Sequence, residues 1–207
     1  IQGTGVIALA GVLGALNISG QSIAEQRFLT FGAGTAGMRI VKMLYNELIK
    51  QGMSPKEAKQ HFYLVDRQGL LFENTPGLTP KQQAFVRSRD EFADAGELTD
   101  LPAIIKAVQP TVMIGTSTVH NAFTEAAIKE MAKHADRPII FPISNPTEKI
   151  EATPADLIKW TNGKALVATG IPSATVAYQG IDYPLGQANN ALLYPGVGVG
   201  ALGGNAR

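Results

Sequence analysis

The stretch from Arg27 to Val41 constrains this chain more than any other. Phe28, Leu29 and Phe31 form a short apolar run suited to a buried parallel strand. Gly32-x-Gly34-x-x-Gly37 then opens a helix whose apolar face is Ile40, Val41, Leu44, Tyr45 and Leu48. Strand, glycine turn and helix in that order outline a dinucleotide site. Gly32 would make the tight turn, Gly34 would let backbone approach a pyrophosphate, and Gly37 would let the helix lie close against the strand. The helix start, with Ala33 and Thr35 between the glycines, would present free N–H groups and the positive dipole end to phosphates. The bland alternative is a glycine turn that only packs a helix on a sheet.

Context favours the first reading. A second strand, Phe62-Tyr63-Leu64-Val65, follows the helix and ends in Asp66, an acid placed to accept hydrogen bonds from ribose hydroxyls. That favours NAD over a 2′-phosphorylated cofactor, while the neighbouring Arg67 is compatible with a 2′-phosphate. The spacing from Gly37 to Asp66 exceeds the usual roughly 20 residues. A helix extended through Lys50 and a second one begun at Ser54-Pro55-Lys56-Glu57 take up the excess.

The remaining chain supplies more strands of the same kind. Apolar runs at Thr111–Ile114, Pro138–Ile143 and Ala165–Ala168 alternate with helical patterns at Leu101–Val108, Phe123–His134 and Thr153–Trp160. The expected fold is α/β, a Rossmann-like doubly wound, mostly parallel sheet with helices on both faces. Before the first strand, Thr4 to Leu16 reads as a helix with small residues on several faces. Thr79-Pro80-Lys81-Gln82 begins another, predicted to continue from Gln83 to Arg89. Leu70-Leu71-Phe72 reads as a short arm, and Val176 to Tyr183 as a hairpin turning at Gln179-Gly180.

Ligands on such a sheet lie beyond the carboxyl ends of the strands. Those ends carry Gly32-Ala33-Gly34, Asp66, Thr116-Ser117 and Asn145, one rim of small and polar groups. Gln187, Asn189 and Asn190 add carboxamides suited to a hydroxyl or carboxylate, with a hydrogen-bonded loop as the alternative. A general base is harder to find. His61 and His134 read as structural, His120 follows the third strand of the alternation, and neither serine at a strand end has a nucleophile elbow. No His, Asp or Glu pair has metal-ligand spacing.

Composition narrows the partners. A net charge of +1, without a basic patch interleaved with aromatics, argues against nucleic acid. The early Val6–Ile18 run is too short and too rich in Ala and Gly to span a bilayer. The absence of cysteine excludes disulfides, thiolate catalysis and Cys-ligated metals and is compatible with the reducing, cytoplasmic setting expected for the chain.

Ile1-Gln2-Gly3-Thr4, Phe31-Gly32-Ala33-Gly34-Thr35-Ala36-Gly37, Leu64-Val65-Asp66-Arg67-Gln68-Gly69-Leu70, Arg137 to Thr147 and Gly186-Gln187-Ala188-Asn189-Asn190 together resemble the malic enzyme family. Ala168-Thr169-Gly170-Ile171-Pro172 and Gln187 to Gly196 look most like its malolactic branch. The resemblance covers residues 1–207 in order. It implies the NAD-binding portion of an oligomeric enzyme, dimer or tetramer, that decarboxylates L-malate with NAD and Mn2+ or Mg2+. It further implies that the metal ligands and the catalytic Tyr and Lys lie upstream of Ile1. Carried over by position, Asn145 and Asn190 would contact malate. Thr4, Gly32, Ala33, Gly34, Thr35, Gly37, Asp66, Arg67, Thr116 and Ser117 would form the dinucleotide site, with Asn145 near the nicotinamide. The His120-Asn121 loop departs from the family pattern and receives no role.

Overall fold

The computed structural model describes residues 2–188. Its strands are β1 (Phe28–Phe31), β2 (Phe62–Asp66), β3 (Gly69–Leu70), β4 (Val112–Gly115), β5 (Ile139–Pro142), β6 (Leu166–Thr169), β7 (Val176–Tyr178), β8 (Ile181–Tyr183) and β9 (Gly186–Gln187). Seven of them form one sheet in the order β3-β2-β1-β4-β5-β6-β9, and β7 and β8 form a separate hairpin. Every pairing in the large sheet is parallel except that of β2 with β3. The expected doubly wound sheet is therefore present. It is extended by two-residue strands at both edges.

β1 is an interior strand of this sheet, next to the central β4. It pairs with β2 on one side, Phe28 opposite Phe62, and with β4 on the other, Phe28 opposite Val112. The chain thus builds outward from β1 to β2 and crosses back to β4. That reversal is the topological switch point of a doubly wound sheet.

Alternation along the strands sends side chains to two cores. Phe28, Phe62, Leu64 and Phe141 pack under α1 (Gln2–Ser19) and α2 (Thr35–Lys50). Their neighbours Leu29, Tyr63, Val65 and Ile140 face the opposite layer. That layer is built from α5 (Leu101–Val108), α6 (Glu125–His134) and α7 (Pro154–Trp160). Phe28 stacks on Phe62 at 5.2 Å between centroids, and Phe85 meets Phe62 edge-on at 5.6 Å. Each such side chain contributes about 1.5–3 kcal/mol when fully buried. The small residues of α1 serve close packing: a Cβ on Gly5 would lie 2.8 Å from Met43, and one on Gly11 2.9 Å from the Phe141 ring.

Two short helices, α3 (Pro55–Lys59) and α4 (Pro80–Gln83), start with the capping boxes read from sequence, Ser54 with Glu57 and Thr79 with Gln82. The helix predicted from Gln83 to Arg89 does not form. α4 ends at Gln83, Phe85 turns into the core beside Phe62 and Tyr45, and Arg87 makes a bridge with Phe72. The hairpin turns where expected, with φ of 51° at Gln179 and 76° at Gly180, the paired positive angles that tight hairpins favour. No helix among the described residues is long and apolar enough to cross a membrane.

Candidate functional site

The ends of β1, β2 and β4 enclose a cleft of about 630 Å³, a size typical of small-molecule sites. Its floor is the glycine turn. Gly32 has φ +98°, and a Cβ there would lie 2.6 Å from the Ser117 Cα and N, so the turn presses directly on the loop after β4. Thr116 fastens that contact by donating its hydroxyl to the Gly32 carbonyl at 2.7 Å. Gly37 is as confined, since its Cβ would lie 2.3 Å from the same carbonyl oxygen and 2.9 Å from Thr30 Cγ2. Gly34 is different. A Cβ there meets nothing within 4 Å, and Gly34 lines the cleft.

Two sources of positive potential reach this space. Gly34 is the N-cap of α2 and, having no side chain, leaves the helix end without a side-chain cap. The N–H groups of a first helical turn lack intrahelical acceptors and carry the positive dipole end, which suits an anion. Arg67 lines the same cleft. Beside it Asp66 ends β2, where a two-residue turn into β3 sets Asp66 opposite Gly69. Asp66 Oδ1 accepts the Arg67 backbone N–H at 2.9 Å, which leaves its other oxygen for a donor in the cleft.

The far wall is Leu71, Leu78, Thr79 and Gln82. Gln82 is buried and does two things, of which sequence reading assigned only the first. Its Oε1 closes the cap by accepting the Thr79 N–H at 2.8 Å, and its Nε2 donates to the Ala33 carbonyl at 2.9 Å. It thereby braces the glycine turn from across the cleft. Gln82→Leu leaves that buried carbonyl without its donor, so we expect a loss of about 1–3 kcal/mol. The measurement is the urea midpoint with the slope unchanged; an unaltered midpoint would show that the turn holds itself.

Of the residues predicted for the site, Gly32, Gly34, Asp66, Arg67, Thr116 and Ser117 line this one cleft. Ala33 lies in the turn between the first two, and Thr35 and Gly37 lie in the first turn of α2. Thr4 lies on α1 next to Gly5, where α1 packs on Arg39 and Met43. Asn145 stands on the loop after β5, its carboxamide against Gly170 at the end of β6; a Cβ on that glycine would lie 2.9 Å from Asn145 Nδ2. Asn189 and Asn190 lie outside the described residues.

The histidines divide as their positions suggest. His61 Nδ1 is 2.7 Å from the Gln26 carbonyl. His134 meets Glu130 at 3.2 Å; Lys133, with His134 behind it, holds the Glu130 carboxyl below the ordinary range. His120 is exposed on the loop after β4 and does not line the cleft.

A residue that sequence reading passed over ties the two loops together. Glu151 is fully buried between the loops that follow β4 and β5, where it accepts hydrogen bonds from Ser117 and Ser144. Its one sequence signal is an acid inside the apolar run Ile150-Glu151-Ala152.

The whole of residues 1–207 matches the family model described as malic enzyme, NAD binding domain. The chain belongs to the malic enzyme family. This malic enzyme domain is 61% identical over its full length to the malolactic enzyme of Lactiplantibacillus plantarum and 58% to that of Leuconostoc mesenteroides, spanning 38% of each. It is 45% identical to NAD-dependent malic enzyme 3 of Bacillus subtilis, with 98% of this chain matched to 37% of that one. In shape it resembles the crystal structure of the NAD-dependent malic enzyme from Thermotoga maritima, with a TM-score of 0.68 and 26% identity. That match takes in 97% of this chain and 45% of the other.

Proposed function

We propose that this domain is the NAD-binding portion of an enzyme that converts L-malate to L-lactate and carbon dioxide. The observation that carries the reading is the identity of 61% and 58% with two malolactic enzymes over the whole domain, against 45% with a malic enzyme. The domain spans about two fifths of the length of those relatives, so the activity belongs to a larger protein.

The cleft suits NAD. The N-terminus of α2, opened by Gly34, would hold the pyrophosphate; Asp66 would accept from the adenosine ribose; Thr116 and Ser117 would border the nicotinamide half. Asp66 favours a free 2′-hydroxyl, and Arg67 is the group that would have to be reckoned with for a 2′-phosphate. Bound NAD supplies an acceptor for the hydride of malate C2 and, once reduced, a donor to the three-carbon keto acid, so that lactate forms without net change in cofactor. The domain's own contribution is to fix the cofactor, shield that face from water and present the Asn145 carboxamide to the substrate, with Asn190 as the second malate contact.

A divalent ion is a different matter. Among the described residues no group of three or more His, Asp or Glu side chains could hold one. Its ligands would lie outside them.

The test uses the intact protein with L-malate, NAD and Mn2+, following lactate, pyruvate and NADH together. Lactate without accumulating NADH is the expected result. Pyruvate in step with NADH would make it a malic enzyme, and no turnover would reduce the domain to a binding module.

A further inference from the structure

We infer that Glu151 is a positioning residue that couples the dinucleotide site to the substrate site, by binding the Ser117 loop and the Ser144–Asn145 loop to one carboxylate. The inference rests on the functional reading above, which puts the cofactor beside Ser117 and malate beside Asn145.

The carboxylate makes one junction of two strand ends. Glu151 Oε1 accepts the Ser117 backbone N–H at 2.9 Å and the Ser117 hydroxyl at 3.0 Å. The same oxygen accepts the Ser144 hydroxyl, while Oε2 accepts the Ser144 backbone N–H at 3.4 Å. Ser144 also accepts the Thr118 N–H at 2.9 Å, and the Glu151 carbonyl accepts the Phe123 N–H at 2.9 Å. Gly115, the last residue of β4, makes room: a Cβ there would lie 2.5 Å from Glu151 Cδ. Glu151 has no exposed surface, and no cation among the described residues forms an ion pair with it. Donors from both loops therefore carry the stabilisation of a buried acid, which is costly to leave unmatched.

That arrangement links two ligands physically. Ser117 lines the cleft, and its loop is also where the glycine turn presses through Gly32. Ser144 immediately precedes Asn145. A ligand that settles one loop restricts the other through their shared acceptor. In thermodynamic terms, each ligand should raise the affinity for the other by the same factor.

Glutamine keeps the size of Glu151 and weakens this junction on one side. With its single acceptor oxygen left to the Ser117 donors and the Ser144 hydroxyl, its NH2 group faces the Ser144 backbone N–H, donor against donor, and the Ser144 loop is loosened. The experiment measures NADH affinity of the intact protein, with Mn2+ present, in the absence and presence of saturating tartronate, a short 2-hydroxy dicarboxylate. Wild type should bind NADH about tenfold more tightly with tartronate, within the usual range of coupling factors. In Glu151→Gln the factor should fall below about twofold while NADH affinity without tartronate changes by less than about threefold. Ser144→Ala, which removes one donor and keeps the acid, should give an intermediate factor and serves if Glu151→Gln does not fold.

A merely structural role would lower thermal stability and both separate affinities together and leave the factor intact; that result overturns the inference. So does a wild-type factor near one when both ligands bind. Failure of the wild type to bind either ligand is instead the failure of the functional reading, and the inference falls with it.

Discussion

Gly37→Ala is expected to cost about 3 kcal/mol or more of stability, although it adds a single methyl group and alanine is the better helix former. The new Cβ would lie 2.3 Å from the Gly32 carbonyl oxygen and 2.9 Å from both Thr116 Oγ1 and Thr30 Cγ2. The first of these is main chain, so relief requires the helix to lift from the strand or the turn to open. Lifting α2 disturbs Met38, Ile40, Val41, Leu44 and Leu48, all buried against the sheet. Opening the turn breaks the Thr116 bond to Gly32. For a domain of this size, 3 kcal/mol corresponds to a fall of about 6–12 °C in Tm. A fall of less than about 2 °C would mean that strand and helix are not held at this distance.

Gly34→Leu, three residues away, should do the reverse. Gly34 has φ −76° and ψ −163°, extended backbone open to any residue, and its Cβ would meet no protein atom within 4 Å. Leucine is a poorer N-cap than glycine, so stability should fall by about 1 kcal/mol at most. The side chain would, however, stand over the helix N-terminus in the cleft, where the pyrophosphate is proposed to lie. NADH affinity should drop at least about 100-fold, read by fluorescence titration of the intact protein. Unchanged affinity would remove the cleft as the dinucleotide site. The pair separates two tasks that a Gly-x-Gly-x-x-Gly motif runs together: one glycine is needed by the fold, the other by the ligand.

That division also shows what the sequence could and could not disclose. The five long strands were legible because each is a run of apolar residues buried on both faces, such as Val112-Met113-Ile114 and Ile139-Ile140-Phe141. β3 and β9 were not, because two residues give no periodicity. The capping box at Thr79 announced a helix start correctly, but nothing local announced its end after Gln83. There Phe85 gains a place against Phe62 and Tyr45 that a continued helix would forgo. The rim residues Gly32, Gly34, Asp66, Thr116 and Ser117 could be foreseen because a parallel sheet brings its carboxyl ends together whatever the loops do. Gln82 and Glu151 could not. Their roles depend on Ala33, Ser117 and Ser144, partners fixed by tertiary structure, and a lone Gln or Glu has no spacing that names them.

The two-residue edge strands have a consequence for how the protein behaves in company. A sheet of parallel strands, rich in Val, Ile and Phe, is a ready template for a neighbouring molecule wherever its last strand is long and flat. Here one margin is β3, a short reversal out of β2, and the other is β9, laid beside the last two residues of β6. Among the described residues each of these outermost strands is only two residues long, too short to template a foreign strand by itself. Among the described residues the sheet thus ends on both sides in the very short edge strands by which proteins blunt strand-to-strand association.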